Sequence, residues 1–181
     1  MEYKGLVLFI LISILLNSGV AGDTGCFFVD AENTCDNAFE AWRSALWSCS
    51  DEGDFNAGIL SNVDVDSSPG DVVLEYYGGY AYSGTLNSGV FDSGADNSSI
   101  DSLFWDETFE MDTDVIFEVR ASDILFLKDD ASPAWIHVGG TSPVDSGLPS
   151  GRYIQWRATL TTTDDSKTPV LHEVRIYYSD Y

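Results

Sequence analysis

From residue 54 onward the hydrophobic positions recur with a period of two, the spacing of a strand that sends alternate side chains into a core. Such runs cover 71–77, 80–86, 88–92, 101–107, 114–121, 134–138, 152–163 and 169–178, with Gly, Ser, Asp and Pro clusters between them. About eight strands without helices between them predict antiparallel sheets packed as an all-β two-sheet sandwich. A parallel sheet is excluded, because its crossovers need helices. Residues 54–181 read as one module, with no repeat at a fixed period.

The alternation assigns sides. Within 152–163, Ile154, Trp156, Ala158 and Leu160 form a core face, opposed by Tyr153, Gln155, Arg157 and Thr159. Within 114–121, Val115, Phe117, Val119 and Ala121 oppose Ile116, Glu118 and Arg120. In the last run, Val170, His172, Val174, Ile176 and Tyr178 oppose Leu171, Glu173, Arg175 and Tyr177. Three of the five arginines thus fall on polar strand faces. If these strands are neighbours, Arg120, Arg157 and Arg175 face Glu118 and Glu173 across one sheet. Two readings follow: cross-strand pairing on a solvated surface, or a ligand face in which Tyr153, Tyr177 and the three arginines grip a polar surface such as a sugar.

Before residue 54 the pattern changes. Residues 23–53 form an expected Cys-bearing extension, and within it Asn33–Cys49 places Phe39, Trp42 and Leu46 at helical spacing, with Asp36 or Asn37 available as a cap. A helix running through both Cys35 and Cys49 separates them by about 21 Å of rise, far beyond disulfide reach. Cys26 is then the expected partner of one of them. The odd thiol is either an intermolecular bridge or a buried free cysteine. The spacing matches no zinc or haem motif.

Residues 1–22 carry Lys4, an apolar run from Leu6 to Leu16 and small residues around Val20 and Gly22, the three parts of a secretory signal. That run is well short of the ~20 residues needed to span a bilayer. A second reading takes Lys4-Gly5 as a prepilin-type cleavage site of the archaeal kind, leaving the apolar stretch as an assembly helix that Asn17, Ser18 and Gly19 interrupt early. Neither reading gives the mature chain a membrane span. Its expected place is extracellular or on the cell surface, where disulfides form.

Charge narrows the partners. The 181 residues hold 30 Asp and Glu against 8 Lys and Arg, a net charge of -22. Such a surface repels nucleic acid, yet 44% hydrophobic and 13% aromatic residues are too many for a disordered acidic tail. Asp and Glu far in excess of Lys suit a surface kept soluble in brine, where salt screens self-repulsion.

Catalytic inventory is thin. His137 and His172 belong to neither an HExxH helix nor a GxSxG elbow, so no enzyme is expected. The acidic loops 64–71, 92–99 and 110–114 offer oxygen ligands, with Asp64, Asp66 and Asp71 the leading candidates for a structural calcium, although none has EF-hand spacing. The other reading leaves them as solvated loops. Asn97-Ser98-Ser99 is a glycosylation sequon in a turn-like stretch. Tyr76, Tyr77, Tyr80 and Tyr82 flank Gly78-Gly79, either as packing or as stacking area for sugars.

The stretches SGTLNSGVFDSG (83–94), SLFWDE, VIFEVRAS and, above all, GRYIQWRATL and TPVLHEVRIYY resemble a module of secreted and cell-surface proteins of archaea and environmental bacteria. The resemblance covers roughly residues 54–181 and implies the jelly-roll sandwich of galactose-binding-like domains in an extracellular setting. It supplies no catalytic constellation.

Two functions are expected in turn. One is a structural subunit of a filament, sheath or surface layer, held by self-association or by other surface proteins, with CFFVD at 26–30 either completing a neighbour's sheet or covering its own. The alternative is a calcium-assisted carbohydrate-binding or adhesion module.

Overall fold

The computed structural model describes residues 27–30, 44–66 and 70–180. The leader 1–22, Cys26, Cys35 and residues 31–43 lie outside them. Two antiparallel sheets face each other as a sandwich.

In the first sheet, β12 (Val170–Ser179) is central. One side pairs along its whole length with β8 (Ser99–Thr108). The other side takes β2 (Ser44–Cys49) over residues 174–179 and β5 (Val72–Leu74) at Leu171, followed outward by β1 (Phe27–Asp30) and β4 (Val63–Val65). In the second sheet, β9 (Thr113–Ser122) and β11 (Tyr153–Thr162) pair over ten residues. Beyond β9 lies β10 (Ile136–Val138), and beyond β11 lie β6 (Ser83–Asn87), β7 (Phe91–Asp92) and, outside β6, β3 (Ile59–Ser61).

The inward alternates predicted for β9 and β11 are buried as expected, among them Phe117, Val119, Ile154, Trp156, Ala158 and Leu160. Aromatic rings join the layers. Trp105 stacks on Phe117 with centroids 4.5 Å apart, Phe117 meets Trp156 at 6.2 Å, and Trp47 stacks on Phe91 at 4.9 Å. A one-turn helix α1 (Glu52–Asn56) adds Phe55 edge-on to Trp156 at 6.3 Å. Its start is held reciprocally: Asp51 Oδ1 accepts from Asp54 N at 2.9 Å, and Asp54 Oδ2 accepts from Ser50 N at 3.0 Å.

Four expectations are corrected. Ser44–Cys49 is a strand, so the helix does not run through to Cys49: Trp47 and Cys49 are buried alternates facing the core, and tertiary pairing with β12 outweighs the helical spacing of Leu46. The sandwich takes in β1 and residues 44–53, and the expected boundary at residue 54 falls inside α1. In β12 the predicted inward parity fails at its start. A bulge between Leu171 and Glu173 turns Leu171 into the core and leaves His172 on the outside, after which Val174, Ile176 and Tyr178 resume the inward phase. The fourth correction concerns neighbours: β9 and β11 share a sheet, whereas β12 lies in the other.

The chain switches sheets between β3 and β4 at Asn62, whose φ of 54° is the left-handed turn that asparagine tolerates. Gly84 of β6 lies against this switch, and a Cβ there would come within 2.4 Å of the Asn62 carbonyl oxygen. The free edge of β8 is covered by the 142–150 segment, with Leu103 and Val144 exchanging two 2.8 Å backbone hydrogen bonds.

Candidate functional site

The outer face of the second sheet is built by the polar alternates of β9 and β11. Register sets Gln155 opposite Arg120 and Arg157 opposite Glu118. Arg157 and Glu118 form the cross-strand ion pair that the alternation predicts. Arg120 behaves differently, because the segment 123–135 folds over it and leaves it 1% exposed.

Its guanidinium is fully engaged inside that cover. Nε and Nη2 donate to Gln155 Oε1 at 2.8 and 2.6 Å, and Nη1 donates to the carbonyls of Asp130 and Pro133 at 2.7 and 3.2 Å. Longer contacts from Nη2 reach the carbonyls of Lys128 and Leu127. Gln155 completes the network by donating to the Ser88 and Lys128 carbonyls at 2.6 and 3.2 Å. Phe126 and Trp135 lie 4.7 and 4.4 Å from the guanidinium carbon, and Arg157 reaches the same Trp135 ring at 4.5 Å. Burial pulls the Arg120 pKa below its ordinary value, Asp130 opposes this, and the charge of Arg157 adds to the lowering.

This geometry is a clamp, since a planar guanidinium with five donors satisfies several loop carbonyls at once. It also changes what the loop's own side chains do. Only Phe126 of the run Ile124-Leu125-Phe126-Leu127 turns inward; Ile124, Leu125 and Leu127 are 79, 64 and 64% exposed. The backbone beneath them is pinned at further points. Asp123 Oδ1 accepts from the backbone N–H groups of Asn97 and Arg152 at 2.7 and 3.1 Å, Asp130 Oδ2 accepts from Leu127 N at 2.7 Å, and Lys128 Nζ donates to the Ala57 carbonyl at 3.0 Å. A polar anchor therefore holds an apolar surface outward.

The residues expected to form one ligand face are divided between two. Tyr153, Arg120 and Arg157 belong to the second sheet, and Arg175 and Tyr177 to the outer side of the first. Arg175 sits 4.0 Å over the Phe104 ring with Nε 3.3 Å from Glu173 Oε2, and Tyr153 lies under Arg152 at 5.3 Å. Arg120 has no donor left for a ligand. The division follows from β12 joining the sheet opposite β11, because both strands bury their large apolar alternates in the same core.

A second surface lies at one end of the sandwich. Tyr76 and Tyr80 form an isolated bridge with their rings edge-on at 5.1 Å, and Tyr77 N donates to the Gly79 carbonyl at 3.0 Å around Gly78, whose φ of 82° the turn requires. The Tyr77 hydroxyl donates to Glu75. Tyr80 N donates to the Asp165 carbonyl at 2.7 Å, tying this turn to the 163–168 loop, and Tyr76, Tyr77 and Tyr82 stand exposed.

The acidic candidates lie along β4 and at the end of its pairing with β5. Asp64 is exposed on β4 with Oδ1 accepting from Val65 N, Asp66 N donates to the Asp71 carbonyl, and Asp71 Oδ1 is 2.8 Å from His172 Nδ1. Among the described residues no three His, Cys, Asp or Glu side chains form a metal-holding group. Asn97 is exposed at φ 61°, next to buried Ser98. Cys49 is buried and disulfide-bonded, with its partner outside the described residues.

The sequence places Gln155 on the polar face but assigns no role to it, to Trp135 or to the exposed aliphatic trio. The signal for the trio was present: four consecutive apolar residues without alternation, bounded by Asp123 and by Lys128-Asp129-Asp130. No protein-family model matches the chain, and no curated protein is significantly similar to it.

Proposed function

We propose that the chain is a non-catalytic, secreted structural subunit of an extracellular assembly such as a filament, sheath or surface layer, built on a jelly-roll sandwich of the galactose-binding-like kind. The observation that carries this reading is the clamped 123–135 loop. A loop ordinarily buries its apolar side chains to hold itself down, whereas this one is held by Arg120 and Gln155 and turns Ile124, Leu125 and Leu127 to solvent. Such an arrangement suits a surface that has to remain in shape until a neighbour covers it. Self-association and other surface proteins are the two sources of that neighbour.

Electron microscopy and sedimentation of the exported protein at high salt test the proposal. Ordered particles or fibres in the secreted material, where other surface proteins are present, that vanish in the Ile124→Asp, Leu127→Asp double variant are the expected result. Monomers throughout, alone and in the secreted material, with or without reductant, overturn it.

The exposed Tyr76, Tyr77 and Tyr82 around the pinned turn favour a second reading, a carbohydrate-binding or adhesion module in which rings stack on sugars and calcium orders the 64–71 loop. A glycan array run with and without chelator decides it, and background signal in both conditions ends it.

A further inference from the structure

We infer that the surface formed by Ile124, Leu125 and Leu127 takes a basic, apolar-bearing segment of another protein, and not a second copy of this chain. This rests on the structural-subunit reading and names the partner of the same surface. The argument is charge complementarity. Asp123, Asp129 and Asp130 are all exposed in the segment that carries the trio. The one lysine in that run, Lys128, is drawn away, with Nζ bonded to the carbonyls of Ala57 and Gly58 at 3.0 and 3.3 Å. Arg120, directly beneath, is buried.

The rest of the described surface gives the same answer. Of the eight Lys and Arg, Lys4 and Arg43 lie outside the described residues. Arg152 pairs with Asp92, Arg157 with Glu118, Lys167 with Asp112 and Asp164, and Arg175 with Glu173. A second copy would bring its own net charge of -22 toward carboxylates with no free cation among its described residues to meet them. A segment with Lys or Arg beside Leu or Ile meets both the rim and the patch.

The test is fluorescence anisotropy of the exported protein with three labelled peptides: an amphipathic Leu-Lys peptide, its Leu-Glu counterpart and oligolysine. The Leu-Lys peptide is expected to bind the wild type at least about tenfold more tightly than the Ile124→Ser, Leu125→Ser, Leu127→Ser variant, whereas oligolysine binds both alike. Since the three side chains are exposed, an unchanged circular dichroism spectrum and melting point check that the variant is folded. Equal affinity of the Leu-Lys peptide for both proteins overturns the inference, as does equal binding of the Leu-Glu peptide, or a wild-type homodimer abolished by the triple substitution. That last result leaves the structural-subunit reading standing; peptide binding without any assembly in the secreted material does the reverse.

Discussion

The guanidinium of Arg120 and the ring of Trp135 lie 4.4 Å apart, one projecting from β9 and the other from the loop that covers it. The contact joins a buried cation, with no carboxylate hydrogen-bonded to it among the described residues, to the segment whose carbonyls satisfy it. Arg120→Met is therefore expected to destabilise the fold by at least about 3 kcal/mol, because Gln155 Oε1 and several loop carbonyls lose their donor together. Arg120→Lys restores little, since an ammonium cannot span the same acceptors. Urea denaturation measures both, and hydrogen exchange in 123–135 should rise in step.

Glu107 leads to a prediction about pH. Its Oε1 accepts from Trp105 Nε1 at 3.0 Å, while Oε2 is shielded without a hydrogen-bond partner among the described residues. Burial pushes its carboxyl above the ordinary 4.5, against the Trp105 bond, and Asp114 and Asp106 add to the rise. The folded state then holds the proton more tightly than the unfolded state, so stability falls as pH rises from 4.5 through the folded value. Asp54, raised by burial, acts in the same direction. Glu107→Gln should be more stable than the wild type at pH 7 and flatten the decline in melting temperature above pH 4.5.

Gly84→Ala tests the sheet switch. The new methyl would lie 2.4 Å from the Asn62 carbonyl oxygen and 2.6 Å from Val63 Cγ1, and the backbone oxygen cannot swing aside as a flexible side-chain tip would. A loss of about 1–3 kcal/mol is expected in chemical denaturation. Gly89→Ala, with nothing within 4 Å of its Cβ, is the control.

Arg152 is expected to matter little despite its short contact with Asp92 at 2.7 Å. Both side chains are substantially exposed, so solvent screens the pair and Arg152→Ala should leave the urea midpoint at pH 7 close to that of the wild type. The Arg152 bond holds the Asp92 carboxyl below the ordinary 3.8. Its contribution is therefore present above 3.8 and lost as pH falls through the lowered value, where variant and wild type should converge in thermal melts.

The long strands were legible because their alternation runs for many residues. Phe117, Val119, Ile154, Trp156 and Leu160 all lie where the period of two puts them. The same rule failed at Leu171, where one extra residue in β12 shifts the phase, and Ser44–Cys49 was hidden because Leu46 also falls at helical spacing in the sequence. Strands β3 and β4, at three residues each, are too short to show any period. The fate of Arg120 could not be read from its own strand. Alternation places it on an outer face, and only the folding of a loop 3 to 15 residues downstream decides that this face is covered.

The internal engagement of the cations has a consequence for how anything docks. Long-range attraction toward so uniformly acidic a body draws a positive object in from many directions without choosing an orientation. Selection of the docking site is deferred to the last few ångströms, where a greasy ridge stiffened from below is felt and the carboxylates around it decide only the sign of the charge beside it.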